Sequence, residues 1–393
     1  MEALDRFRQY ERYLLTTCSL LGFEVMNKSW KKSFRTYLTM FLLSQYLVWL
    51  LYSIIIATDT FELFKSLSFI GFFFQCLLKM YYTLANASKY SVNFEGLKIG
   101  IYERYINGTE DQKSVINRII VLVLLISKAS TLLYLSSLLM FSLYPAYMYF
   151  LEEVKVTILP LYIPGIDIYS AYGYGITNSL HMVIAAYGCF GALASDMAFM
   201  MFVMHFISYG ELFKIECEQF EKDLAEISAY LERNTAEYRL FCRKRMRVLY
   251  QSHQDLITYV ESLKTCYEAI CLVQVATCSI SIMFNLFLAI TTDWYATYSF
   301  IVISWFQLLV FSFLGTVLQE MNYRLVTIIS SLPWFLLPTE EQMRFKFMLS
   351  RSQLPTEMFI RSVGPLNMET FTDIMQKIYS AFTMMYSFLT DLG

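Results

Sequence analysis

Seven apolar stretches run along this chain, and the lysines and arginines between them alternate in number from one interval to the next. The stretches are 37–57, 67–86, 118–143, 179–208, 268–291, 297–317 and 372–390. The segment before the first holds seven Lys/Arg, and the following intervals hold one, four, one, nine, none, five and none. Twenty-five basic residues therefore fall on one side of a membrane, two on the other and four inside the stretches. Cytoplasmic loops keep the Lys/Arg excess. The pattern predicts an all-α membrane protein of seven transmembrane helices, with a cytoplasmic N-terminus and an extracellular C-terminus.

A hydrophobic content of 56%, only 16% charged residues and a mean hydropathy of +0.45 fit a polytopic membrane protein rather than a soluble domain. Most stretches reach the roughly 20 apolar residues that a bilayer core requires. No cleavable leader is evident in residues 1–36. Leu4, Phe7, Leu14, Cys18 and Leu21 fall near one helical face, with Arg6, Arg8 and Arg12 off it. This segment reads as an amphipathic helix, lying either on the inner membrane surface or packed under the bundle. A net charge of -2 and the lack of general basicity give no footprint for nucleic acid. The eight cysteines avoid the expected outer loops, form no CxxC, and are joined by only three histidines. Neither a disulfide framework nor a metal or other cofactor is expected. No catalytic motif stands in a suitable context, so an enzyme is not expected.

The chain reads as one membrane unit. It comprises an amphipathic segment at 1–36, spans 1–6 over 37–317, a cytoplasmic anchor at 318–371, and the last span within 372–393. Span 4 and span 5 are expected to continue below the membrane as helices within 209–267. In the anchor, Thr339 with Gln342 three residues on suggests a cap for a helix over Glu340–Arg351. The only substantial outer loop, 144–178, is rich in Tyr, Pro and Gly. It reads either as a compact lid or as an ordinary connection.

Three features carry candidate chemistry. First, ionisable groups inside the bilayer are costly. Lys79, Lys128, Asp196 and Lys377 are such groups, and Asp196 is expected to pair with Lys128 or Lys79 as a structural charge. Second, span 7 is the least apolar. Gln376, Ser380, Thr383, Met384, Ser387 and Asp391 recur every three to four residues and so share a face. That stripe packs against neighbouring helices or lines a water-filled path. Third, aromatic residues make up 17% of the chain and crowd the outer halves of the spans. Phe69, Phe72 and Phe73 with Cys76 lie in span 2, and Tyr134, Ser137 and Met140 in span 3. His181, Ile184 and Tyr187 lie in span 4, and Tyr298, Ser304 and Trp305 in span 6. An apolar cavity with a few hydroxyls suits a small, weakly polar ligand, and bundle core with an interfacial aromatic belt is the alternative.

Short sequences late in the chain resemble the insect odorant receptors of the seven-transmembrane family. They are Ser331–Leu332–Pro333–Trp334, Arg351–Ser352–Gln353–Leu354–Pro355, Gly364–Pro365–Leu366 and Met368–Glu369–Thr370–Phe371. Tyr379–Ser380–Ala381–Phe382 matches the family's Tyr-Ser-Tyr-Phe in part, with Ala381 where Tyr is common. Leu159–Pro160, Pro164, Ser195–Asp196, His205 and His253 add to the likeness.

The resemblance implies a subunit of a tetrameric odorant-gated cation channel. It implies an odorant pocket among spans 2 to 6, a central pore lined by span 7 and a gate at Met384. It also implies a volatile organic ligand, permeating cations, and a heterotetramer with the olfactory co-receptor in the plasma membrane of olfactory neuron dendrites. The interval 87–117 is too short for the co-receptor itself, so the chain reads as an odorant-tuning subunit. The rival readings are a gustatory-type ligand-gated channel, whose terminal signature is absent, and a metabotropic seven-span receptor, which needs the opposite orientation. The sequons at Asn27, Asn86 and Asn107 all fall on the expected cytoplasmic side. Glycosidase treatment of the expressed protein is therefore expected to leave its gel mobility unchanged.

Overall fold

The computed structural model describes residues 2–390, apart from 233, 234, 355, 356 and 362. Helix α1 (Glu2–Leu21) buries Leu4, Phe7, Tyr10, Leu14, Cys18 and Leu21 and exposes Arg8 and Arg12. It packs against two of the long helices of the bundle. Gly22 ends it with φ +77°, and the Phe23 N–H donates back to the Cys18 carbonyl at 2.9 Å. That is the six-to-one bond of a glycine-terminated helix. A Cβ at Gly22 would lie 2.3 Å from the Thr36 nitrogen, so only glycine lets the next helix start this close.

Helix α2 (Phe34–Ile56) is the first long apolar helix. The second apolar stretch is broken into α3 (Thr60–Ser68) and α4 (Ile70–Ala85) at Phe69, whose carbonyl accepts from the Tyr46 hydroxyl at 3.1 Å. After α5 (Ala87–Lys98), a π-helical turn and the short α6 (Arg104–Asn107) comes α7 (Glu110–Leu151). A reciprocal Thr109–Gln112 capping box starts α7. Helices α8 (Ala171–Tyr230) and α9 (Ala236–Thr291) run to 60 and 56 residues. Both therefore continue well past the roughly 20 residues of a membrane crossing. Helix α10 (Ala296–Ser330) follows, then α11 (Thr339–Ser352) and α12 (Met368–Thr390). The centre of α8 is buried on all sides from Asp196 to Ser208, with α1, α7, α9 and α10 packed most closely around α8.

Among the described residues six helical spans are long and apolar enough to cross a membrane by length and composition, and α12 lies outside that set. Two expectations are corrected here. The outer loop is shorter than 144–178, since α7 runs to Leu151 and α8 begins at Ala171. Thr339 is the first helical residue rather than the cap. Pro338 holds the cap position, and the Gln342 side chain donates to the Leu337 carbonyl at 2.9 Å.

The base of α12 is clamped. Two short antiparallel strands, β1 (Phe359–Ile360) and β2 (Gly364–Pro365), turn the chain before it. A Cβ on Gly315 of α10 would stand 2.0 Å from the Leu366 carbonyl oxygen, so the turn lies directly on the helix backbone there. The Met368 N–H donates to Thr316 Oγ1 at 2.9 Å, and the Thr370 N–H donates to Asn367 Oδ1 at 2.8 Å. These bonds occupy N–H groups that a helix start leaves unpaired.

One ion pair ties α4 to α8 inside the apolar bundle: Lys79 Nζ lies 2.6 Å from Asp196 Oδ1, with both side chains almost fully buried. The Lys79 ammonium also sits 5.3 Å from the centre of the Phe311 ring on α10. Lys128 stands exposed on α7 and is not the partner. Removing one member of a buried pair strands the other charge and costs about 3–5 kcal/mol. Asp196→Ala or Lys79→Ala alone is therefore expected to abolish most surface expression. The Lys79→Met, Asp196→Leu double variant is expected to recover part of it, as read by surface biotinylation.

Candidate functional site

Two neighbouring cavities lie among the apolar helices. The first, on the side of the N-terminal segment, is walled by Cys18 to Met26, by Thr39 to Tyr46 of α2, by Phe72 to Thr83 of α4 and by Tyr187 to Ala198 of α8. The second lies under the loop 152–170. Its walls come from Phe69 and Phe72, from Tyr134, Ser137 and Phe141 of α7, from Ile184 and Cys189 of α8, from Ser281 of α9 and from Phe300, Ser304 and Gln307 of α10. Tyr46, Phe72, Gln75 and Ile184 border both.

The loop forms the roof of the second cavity. Ile158, Leu159, Leu161 and Ile163 are buried in a cluster with Trp49, Phe69, Phe141 and Trp294. Polar groups pin the roof. The Ile158 N–H donates to Asn178 Oδ1 at 2.8 Å, the Tyr162 N–H donates to Ser53 Oγ at 2.6 Å, and the Leu159 N–H donates to His181 Nδ1 at 3.4 Å. His181 also packs its ring 5.7 Å from that of Trp49.

The floor is polar. Asp196 Oδ2 accepts from the Tyr134 hydroxyl and, at 3.5 Å, from the Gln307 amide. Gln307 also donates to the Tyr134 oxygen. Gln307 Oε1 accepts from Gln274 at 3.0 Å, Gln75 at 3.3 Å and the Cys278 thiol at 3.3 Å. Gln75 donates in addition to Gln274 Oε1 at 3.1 Å. Lysine, aspartate, tyrosine and three amides from α4, α7, α8, α9 and α10 thus form one connected array. In so apolar a setting each unmet polar atom is expensive, and a connected array meets them together.

The residues expected to bind ligand divide by helical face. Phe69, Phe72, Tyr134, Ser137, Ile184 and Ser304 border the roofed cavity, while Phe72, Phe73, Cys76, Ile184 and Tyr187 border the other. Met140, Tyr298 and Trp305 border neither and are 58%, 54% and 43% exposed. On α7 the inward residues are Tyr134, Ser137 and Phe141, a spacing that turns Met140 outward. On α10 they are Phe300, Ser304 and Gln307, and Trp305 packs instead 6.2 Å from Phe371. His181 is fully buried and supports the roof rather than lining the space. Sequence reasoning missed Tyr46, Gln75, Ser281 and Gln307. The signal available for Gln75, Gln274 and Gln307 was that each is an amide within an apolar stretch.

Helix α12 packs on α9 and α10 through Phe371, Ile374 and Ile378. Gln376, Ser380, Thr383, Met384 and Ser387 lie on its exposed side, and Met384 is 63% exposed. The Ser380 hydroxyl donates to the Gln376 carbonyl, and the Thr383 hydroxyl to the Ser380 carbonyl, each at 2.9 Å. Asp391 lies outside the described residues.

The family model described as 7tm Odorant receptor matches residues 59–379. The putative odorant receptor 83c of Drosophila melanogaster is 23% identical over 97% of both chains. Odorant receptor 10 of Aedes albopictus is 23% identical over 57% of this chain and 58% of its own. Among solved structures, the insect olfactory receptor OR5 of Machilis hrabei superposes with a TM-score of 0.74 at 11% identity, covering 96% of this chain and 98% of that one. The same receptor in complex with eugenol gives 0.76 at 13% identity, with the same coverage. The likeness to these structures fixes the all-helical fold, and the match over residues 59–379 makes this chain a member of the seven-transmembrane odorant receptor family.

Proposed function

We propose that this chain is the odorant-tuning subunit of a ligand-gated, non-selective cation channel. Its N-terminus is cytoplasmic and its C-terminus extracellular. Four subunits, this chain together with the olfactory co-receptor, bring their α12 helices to a common axis in the plasma membrane of olfactory neuron dendrites. A small volatile organic molecule binds in the roofed cavity, and Met384 forms the constriction that opens.

The observation that carries this reading is the two-sided character of α12. One face is anchored on α9 and α10, and the other presents Gln376, Ser380, Thr383 and Met384 with nothing of its own chain over them. A face of that kind suits water on a pore axis better than lipid. The Lys/Arg alternation supports the orientation. The roofed cavity, with aromatic walls and a polar floor, supports a small ligand, as does the eugenol complex of the Machilis receptor. The ligand opens the pore by binding the open arrangement more tightly than the closed one, since only that difference moves the equilibrium.

Helices α9 and α10 contribute to the cavity wall and carry α12, so they form the physical route between the two sites. In cells that express this chain with the co-receptor, Phe72→Ala or Phe141→Ala is expected to raise the half-maximal concentration of an activating volatile roughly tenfold, consistent with losing part of an aromatic wall. Unchanged potency in both would remove the cavity from the account. Met384→Ala is expected to raise basal current and alter cation selectivity in whole-cell recordings while leaving ligand potency within about threefold.

A further inference from the structure

The amide array under the roofed cavity has a direction, and that direction specifies the chemistry of the ligand's polar group. The order starts at Asp196. Paired with Lys79, it is ionised and can only accept hydrogen bonds. Gln307 must therefore turn its NH2 group toward the carboxylate and the Tyr134 oxygen, which leaves its carbonyl facing the other way. That carbonyl accepts from the NH2 groups of both Gln274 and Gln75. The Gln274 carbonyl accepts from the Gln75 NH2 as well. Each amide orientation is thus set by the one before it, back to a charge that cannot donate.

The last member is Gln75. Both of its bonds are donated through Nε2, and its carbonyl oxygen has no partner among the described residues. Gln75 is only 4% exposed, and it borders both cavities. Without a partner yet not fully occluded, that oxygen opens on cavity space, and an occupant that cannot donate to it forgoes a hydrogen bond's worth of free energy. Gln75 cannot recover this by flipping, because a flipped amide would set its oxygen against the Gln307 and Gln274 oxygens.

The geometry points to a ligand that bears a hydrogen-bond donor. The ligand is a small apolar molecule with a hydroxyl group, an alcohol or phenol, that donates to Gln75 Oε1 while its hydrocarbon body lies against Phe69, Phe72 and Phe300. Ser137 and Ser304 also line the space, but a hydroxyl donates or accepts as required and so imposes no preference. Ethers, esters, ketones and aldehydes carry acceptors only, and leave the Gln75 carbonyl unmet. This inference rests on the assignment of the roofed cavity as the odorant site.

The test is a matched panel: hexanol, octanol, benzyl alcohol and phenethyl alcohol, each with its methyl ether and its aldehyde. The readout is whole-cell current in cells that express this chain with the co-receptor, with surface expression verified. Each alcohol is expected to be roughly three- to tenfold more potent than its ether and aldehyde, the range for one hydrogen bond. In Gln75→Met, which keeps length and removes the acceptor, the three members of each set are expected to become equipotent. Ethers or aldehydes as potent as the alcohols on the unmodified channel would overturn the inference without recourse to any variant. An expressed Gln75→Met channel that keeps the alcohol preference, or a panel that is silent throughout, would overturn it as well. The two levels separate through Phe141→Ala, since Phe141 lines only the roofed cavity. A panel without alcohol preference whose potencies still fall in Phe141→Ala refutes only the donor requirement, whereas potencies unaffected by Phe141→Ala refute the cavity assignment itself.

Discussion

A charge in hydrocarbon is tolerated only with its partner in place, and the Lys79–Asp196 pair imposes that condition on the centre of this bundle. It fixes α4 against α8 at a single register, since a slip of one residue on either helix would turn one of the charges out of reach. Tyr134 and Gln307 then complete the carboxylate's shell and bring α7 and α10 to the same point. With Gln274 of α9 bonded to Gln307, five helices converge on one polar knot, and the cavities are the spaces left beside it.

If the roofed cavity holds the ligand as proposed, specificity and packing draw on the same atoms. The apolar walls of the roofed cavity come from side chains on several helices, each positioned by its own helix. Its floor is held by a network whose internal order is fixed by a charge outside the cavity. Substitutions in the walls change shape. Substitutions in the network change both the chemistry offered to a ligand and the cohesion of the bundle, so the two effects need separate measurements of expression and response.

Much of this was legible in the residues. The apolar stretches marked the helices, and the intramembrane positions of Lys79, Lys128 and Asp196 pointed to a buried pair without deciding which lysine makes it. Helical spacing singled out the stripe on α12. What could not be read was rotation about each helix. Tyr134 and Met140 are both plausible pocket residues by type, yet only one shares a face with Ser137 and Phe141. Trp305 follows an inward Ser304, and a rotation of about 100° per residue carries it to the outer surface. The loop was misjudged in length because aromatic residues and Pro145 resemble a connection, whereas α7 continues through them to Leu151. Gln75 and Gln307 attracted no attention singly, because an amide's role depends on which neighbours it meets across the bundle.

The length of α8 has a mechanical consequence. Sixty residues of continuous helix measure about 90 Å, some three times the thickness of a bilayer's hydrocarbon core. The Lys79–Asp196 contact grips this rod near its middle, within the apolar bundle, and 34 residues of helix run on beyond it. A tilt of only about 3° at that grip would sweep the distal turns through roughly 2–3 Å, as the arm beyond Asp196 is about 50 Å long. By geometry alone, a tilt about the ion pair is enlarged in proportion to the length of helix beyond it.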